Sequence, residues 1–174
     1  MLADIRNWAN PRFWLAIVTA ACIVDTAGMF VWRYTANPDG PINKWYNRFG
    51  LAAYGADVLS MIIGVILTQQ ATMWMGGSWN PVVFCILAVV IQLAHDILFA
   101  SVVVPAIPLG HNSIMDLMKE YATMQGSVYI LLVDAIYMVL TSLLAMFLVT
   151  SGGEWPLLAI TLYVTMYILF TDGA

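Results

Sequence analysis

Four stretches of this chain stay apolar for the roughly 20 residues that a helix needs to cross a bilayer, and each carries one aspartate inside it: Asp25, Asp57, Asp96 and Asp134. No other feature constrains the fold as strongly. A carboxylate at such a position costs at least about 2.5–3.5 kcal/mol on insertion scales, so it has to face the interior of a bundle instead of lipid. Composition points the same way. Of the 174 residues, 62% are hydrophobic and 9% charged, whereas soluble domains carry roughly 25% charged residues.

The expected architecture is therefore an all-α integral membrane bundle, a single domain over residues 1–174. About five transmembrane helices are expected at 12–33, 51–72, 81–104, 126–149 and 155–170, with two short amphipathic segments lying in the interface. Proline at the start of the first helix and Arg33 at its end fit helix boundaries. Its apolar run is longer than a signal-peptide core and contains Asp25, so it is expected to be retained. The first interfacial segment is the aromatic–basic piece Lys44, Trp45, Tyr46, Arg48 and Phe49. In the second, Ile114, Leu117, Met118 and Tyr121 fall at i, i+3, i+4 and i+7, with Asn112 or Ser113 as cap. Trp8, and the cluster Met73, Trp74, Met75 and Trp79, fit an aromatic belt at the membrane surface. The fifth helix is short for a span, and a re-entrant or interfacial segment is its alternative. Cys22 and Cys85 lie in apolar runs and read as packing residues.

A weak internal repeat accompanies this layout. Asn10-Pro11 opens the first helix and Asn80-Pro81 the third, and each helix meets its aspartate 15 or 16 residues after the asparagine. Each is followed by a Pro/Gly loop, an amphipathic segment and a helix containing Asp-x-x-x-Met (Asp57/Met61, Asp134/Met138). Parallel repeats of this kind occur in some transporters.

The four aspartates also share a depth. Asp25 lies eight residues before Arg33, Asp57 seven after Gly50, Asp96 eight before Val104 and Asp134 eight after Gly126. At 1.5 Å per residue each sits roughly 10–12 Å inside the face that carries the two long loops. The candidate site is this layer, Asp25, Asp57, Asp96 and Asp134, with Gln92 and His95 beside Asp96 on one helix. Ser60, Tyr137 and Thr141 support it on the same helix faces as Asp57 and Asp134. His95 reads as the one cation within the membrane. Four ionised carboxylates around it would repel, so protons or a bound cation must neutralise some of them. Asp96, with an imidazole beside it and a carboxamide one turn earlier, is expected to have the most perturbed surroundings. Carboxylates with one histidine suit a hard cation or a transition metal, but no metalloprotease spacing, nucleophilic triad or cofactor fingerprint is present. No catalytic residue and no cofactor is assigned, and the metal question stays open.

The segments INKWYNRFGLAAYGADVLSMIIG, QLAHDILF and PLGHNSIMDLMKEYATMQGSVYILLVDAIYM, taken together, resemble a family of small multi-pass membrane proteins of large double-stranded DNA viruses of algae and protists. The resemblance covers roughly residues 42–138 and carries over no activity and no functional residue. It implies an internal viral membrane or a host-cell membrane as the setting, and a role in virion architecture. Two functions follow. With the resemblance, the expectation is a non-enzymatic component of a virion inner membrane or of its assembly, with capsid or other viral membrane proteins as partners. From the residues alone, it is a proton or cation channel or transporter built on the aspartate layer, with the layer serving only to fix helix packing as the alternative. Lipid and a second copy of the chain are expected partners. The absence of a basic stripe argues against nucleic acid.

Overall fold

The computed structural model describes residues 2–7, 9–123 and 127–171. Trp8, expected as an interface anchor, and position 126, expected to open the fourth long helix, lie outside them. The described residues are helical and contain no strand. In chain order they form α1 (Pro11–Thr35), α2 (Pro41–Phe49), α3 (Leu51–Met75) and α4 (Pro81–Leu98), with a π turn (Phe99–Val103) continuing into a last turn, α5 (Val104–Ala106). Then come α6 (Ser113–Thr123), α7 (Ser127–Ser151) and α8 (Glu154–Leu169). Both Asn-Pro pairs start helices in the same way. Asn10 Oδ1 accepts from the Arg12 amide, Asn80 Oδ1 from those of Val82 and Val83, and proline fills the first turn, where no amide donor is needed.

Among the described residues four helices are long and apolar enough to cross a membrane: α1, α3, the continuous segment Pro81–Ala106, and α7. The fifth expected span, α8, has 16 residues. That is about 24 Å at 1.5 Å per residue, short of the roughly 30 Å hydrocarbon core. α8 lies along α1. Thr19 Oγ1 donates to the Glu154 carbonyl (3.4 Å), the Thr26 and Thr165 hydroxyls are 2.7 Å apart, and Arg33 Nη2 donates to the Leu169 carbonyl (2.7 Å). These contacts climb both helices together, so the two run parallel. Gly152 and Gly153, at φ 76° and 86°, make the reversal from α7 into α8 in a backbone region that residues with a Cβ rarely adopt.

The four long helices close into a ring in which α1 packs on α3 and α7, and α4 packs on the same two. α1 therefore stands opposite α4, and α3 opposite α7. A two-fold relation between the halves α1–α2–α3 and α4–α6–α7 requires this pattern, with α2 docking on α3 as α6 docks on α7. Exposed apolar residues stand four apart on the outer faces: Leu59, Ile63 and Leu67 on α3, and Leu132, Ile136 and Leu140 on α7. The inner faces bury Thr68, Gln69, Gln92, Thr141 and Ser142. A bundle with its apolar stripes outward and its polar groups inward is suited to lipid, where side-chain hydrogen bonds and close packing hold helices together.

Two local features have clear causes. Pro105 lacks an amide and its ring would strike the carbonyl one turn earlier, and the π turn immediately before it widens the helix there. At the end away from the long loops, residues 2–7 fold across the bundle. The Ala3 amide donates to the Met146 carbonyl (3.3 Å), Gln69 Nε2 donates to the Ile5 carbonyl, and Arg6 Nη1 donates to the Gly77 carbonyl (3.2 Å). Ile5 is buried there, and Ile17, Ala20, Val65, Ala145 and Met146 pack the half of the bundle next to it. Trp74 is exposed as a belt residue should be, while Trp79 packs under Arg6 and against Phe84. Cys22 and Cys85 are free thiols.

Arg33, Lys44, Arg48 and Lys119 lie toward the long-loop end and only Arg6 and Arg12 toward the other, so the positive-inside rule predicts that the long loops face the cytoplasm. The α3–α4 link and the start of α6 lie beyond opposite ends of the third span. Thiol labelling of Ser78→Cys and Asn112→Cys, in a background lacking Cys22 and Cys85, should reach Asn112→Cys from the cytoplasmic side and Ser78→Cys from the other. Labelling of both from one side contradicts this topology.

Candidate functional site

A cavity of about 250 Å³ occupies the long-loop half of the bundle. α1 contributes Asp25 and Trp32 to its wall, α3 contributes Asp57, Ser60 and Met61, and α4 contributes Gln92. Asp134, Tyr137, Val133 and, at the exposed rim, Tyr129 come from α7. The two short helices line it on the loop side, α2 through Ile42, Trp45 and Tyr46 and α6 through Met118 and Tyr121. Three of the four aspartates thus line one space.

Their partners differ. Asp57 Oδ2 accepts from Trp45 Nε1 (2.9 Å) and from Tyr46 Oη (3.0 Å), so the carboxyl group fastens α2 over the cavity. Burial first, then the carboxylates of Asp25 and Asp57, push the Tyr46 phenol well above its usual pKa, which keeps it a donor. The Tyr121 phenol is raised as well, chiefly by burial. Asp25 is 1% exposed, and its Oδ2 meets no hydrogen-bond donor among the described residues. Tyr137 fits against bare backbone. A Cβ on Gly28 would lie 1.5 Å from its hydroxyl oxygen, and that hydroxyl accepts from Trp32 Nε1 at 3.2 Å.

Asp96 and His95 are not in this wall. Gln92 Nε2 (2.8 Å) and His95 Nδ1 (3.0 Å) both meet Asp96 Oδ1, Asp96 Oδ2 is buried and meets no donor among the described residues, and the His95 side chain is 46% exposed. The carboxyl group with the most enclosed surroundings is Asp25, not Asp96, because α1 is packed by α3, α7 and α8 while α4 presents most of its surface outward. Ser60 lines the cavity but donates to its own helix, at the Asp57 carbonyl (2.8 Å). Thr141 lies outside it, its hydroxyl against Met61 Sδ (3.3 Å).

The His95 side chain is 46% exposed, whereas a buried basic group, 1% exposed, is Arg33, expected only as a helix end. Its Nη1 donates to the side-chain oxygens of Asn43 and Asn47 on α2, and its guanidinium lies 5.6 Å from the centre of the Tyr46 ring. The signal available in sequence was spacing: Asp25, Met29 and Arg33 fall four apart and share a face.

α2, expected to lie in the interface, buries Trp45 and Tyr46 toward the cavity. α6 keeps its expected inward face and takes its cap from Asn112, whose Oδ1 accepts from the amides of Ile114 and Met115. The two covers are tied together by Lys44 and Glu120 (2.9 Å). Lys119 Nζ donates to the Ile107 carbonyl and holds α6 to the end of the third span.

Chemically the cavity offers carboxyl groups on three helices, a carboxamide and six aromatic rings. Among the described residues no three His, Cys, Asp or Glu side chains converge as a metal-binding group. No family model, no curated protein and no solved structure matches the chain.

Proposed function

We propose that this chain is a multi-pass membrane protein that loads a cation or protons into the Asp25–Asp57–Asp134 cavity from its long-loop side, as the binding site of a channel or transporter. The observation that carries this reading is Asp25. A carboxyl group that is 1% exposed, with one oxygen meeting no donor among the described residues, cannot stay ionised without compensation, since an unpaired buried charge costs several kcal/mol. A proton or a cation has to neutralise it, and the cavity beside it supplies room for either. Intramembrane carboxyl groups facing a bundle interior are the usual elements of proton and ion pathways. The opposite half of the bundle is packed and covered by Ile5, so passage to the other face requires that half to open.

That packed half supports a second reading, a non-enzymatic component of a virion inner membrane or of its assembly, which otherwise rests on the resemblance of residues 42–138. Proteoliposome flux separates the two. Transport predicts proton or cation flux in the wild type and its loss in Asp25→Asn. Absence of flux in a folded, correctly oriented wild type favours the architectural role.

A further inference from the structure

We infer that the ligand of this cavity is an organic ammonium ion, held between its carboxyl groups and its aromatic walls. This rests on reading the cavity as a cation site and names the class of cation. The negative groups are spread over α1, α3 and α7 and form no metal-binding cluster among the described residues, whereas a hard metal ion takes 6–8 oxygens at about 2.3–2.6 Å. The space, about 250 Å³, is roughly eight times a water's share of liquid volume. It suits a cation the size of a substituted ammonium better than a bare ion.

The wall chemistry agrees. Trp32, Trp45, Tyr46, Tyr121, Tyr129 and Tyr137 bring six rings to a cavity of that size. Ring faces attract cations, and aromatic cages are the recurrent means of recognising quaternary ammonium groups. The Arg33 guanidinium already lies over one of these rings, Tyr46, so this part of the bundle stabilises a cation on an aromatic face. Ile42, Met118 and Val133 offer apolar contact to the alkyl groups of such an ion, which an inorganic cation could not use. The fixed anchor is Asp25 Oδ2, buried and without a donor of its own.

Calorimetric titration of the purified full-length chain with choline, with its neutral carbon isostere dimethylbutanol, and with potassium chloride tests this. Choline should bind saturably at one per chain, at least about 10-fold more tightly than dimethylbutanol, the difference being the charge. Asp25→Asn should abolish the binding. Because that variant sits in the core, Tyr121→Leu and Tyr121→Phe provide an independent pair. Leucine should weaken choline about 10-fold, and phenylalanine, which keeps the ring, should restore it. Equal binding of choline and dimethylbutanol, equal effects of the two Tyr121 variants, or no choline binding overturns the inference. If choline fails while proteoliposomes still carry an Asp25-dependent flux of protons or potassium, the inference falls and the cation-site reading stands. If choline binds and no flux is seen, the ligand assignment stands and transport falls.

Discussion

Replacing Arg33 by methionine is expected to destabilise the detergent-solubilised protein by about 3 kcal/mol, the largest single effect among the charged residues. The guanidinium joins three elements, since it donates to Asn43 and Asn47 of α2 and to the Leu169 carbonyl at the end of α8 while α1 carries it. Hydrogen bonds to a charged group are worth roughly 1.5–3 kcal/mol each, and methionine would leave buried acceptors without a donor. The gain is partly offset because the variant no longer buries a charge, which is why the sum of the bonds overstates the loss. Arg33→Lys should recover only part of it, because an ammonium cannot reproduce the planar fork that spans two asparagines and a carbonyl. The check is thermal or denaturant unfolding of the two variants beside the wild type. A loss below about 1 kcal/mol for Arg33→Met would show that α2 and α8 are held by something else.

Asp57→Leu is expected to come next, at about 2 kcal/mol. The substitution keeps bulk but strips the acceptor from two buried donors, Trp45 Nε1 and Tyr46 Oη, each costing about 1–3 kcal/mol when left unpaired. Side-chain hydrogen bonds in membranes average only about 0.6 kcal/mol because partners are easily replaced. Replacement is difficult here, since both donors belong to the nine-residue α2, which is held in place by these contacts. Asp57→Asn keeps one carbonyl oxygen and should cost under about 1 kcal/mol. The readout that separates the two variants is Trp45. In Asp57→Leu its emission should shift toward that of a solvated indole and α2 should become open to proteolysis, while Asp57→Asn should resemble the wild type.

These two residues mark where the sequence was legible and where it was not. Span positions follow from apolar run length, and the Asn-Pro pairs identify two helix starts, because both signals act locally on the backbone. Counting residues from the helix ends placed the aspartates at one depth, since each residue advances a helix by a fixed rise. What counting cannot supply is lateral displacement. Asp96 shares its face with Gln92, yet only Gln92 reaches the cavity wall, and Asp96 pairs with Gln92 and His95 on its own helix. The aromatic–basic pattern of α2 fits a helix lying on lipid as well as it fits a cover with its rings turned inward. Only the acceptor on Asp57, contributed by another helix, decides between them. Arg33 was misread for a related reason. An arginine at the end of an apolar run usually reaches for the interface, and nothing local announces that Asn43, Asn47 and Leu169 will surround it. The fold of residues 2–7 over the far end of the bundle depends on Gln69 and Met146, distant in sequence, and left no periodic signature.

The central claim, that Asp25 anchors a cation or proton site, is tested most directly by the melting temperature of the solubilised protein. It should be measured from mildly acidic to mildly alkaline buffer and across Na⁺, Ca²⁺, Mg²⁺, Zn²⁺ and choline. A ligand bound only by the folded state stabilises by roughly 2.7 kcal/mol at a hundredfold excess over its dissociation constant. The wild type should therefore rise in melting temperature with at least one cation or respond to pH, and Asp25→Asn should fold yet lose that response. A melting temperature indifferent to every cation and to pH, and unchanged in Asp25→Asn, Asp57→Asn and Asp134→Asn, would contradict the claim and leave the aspartates as packing elements.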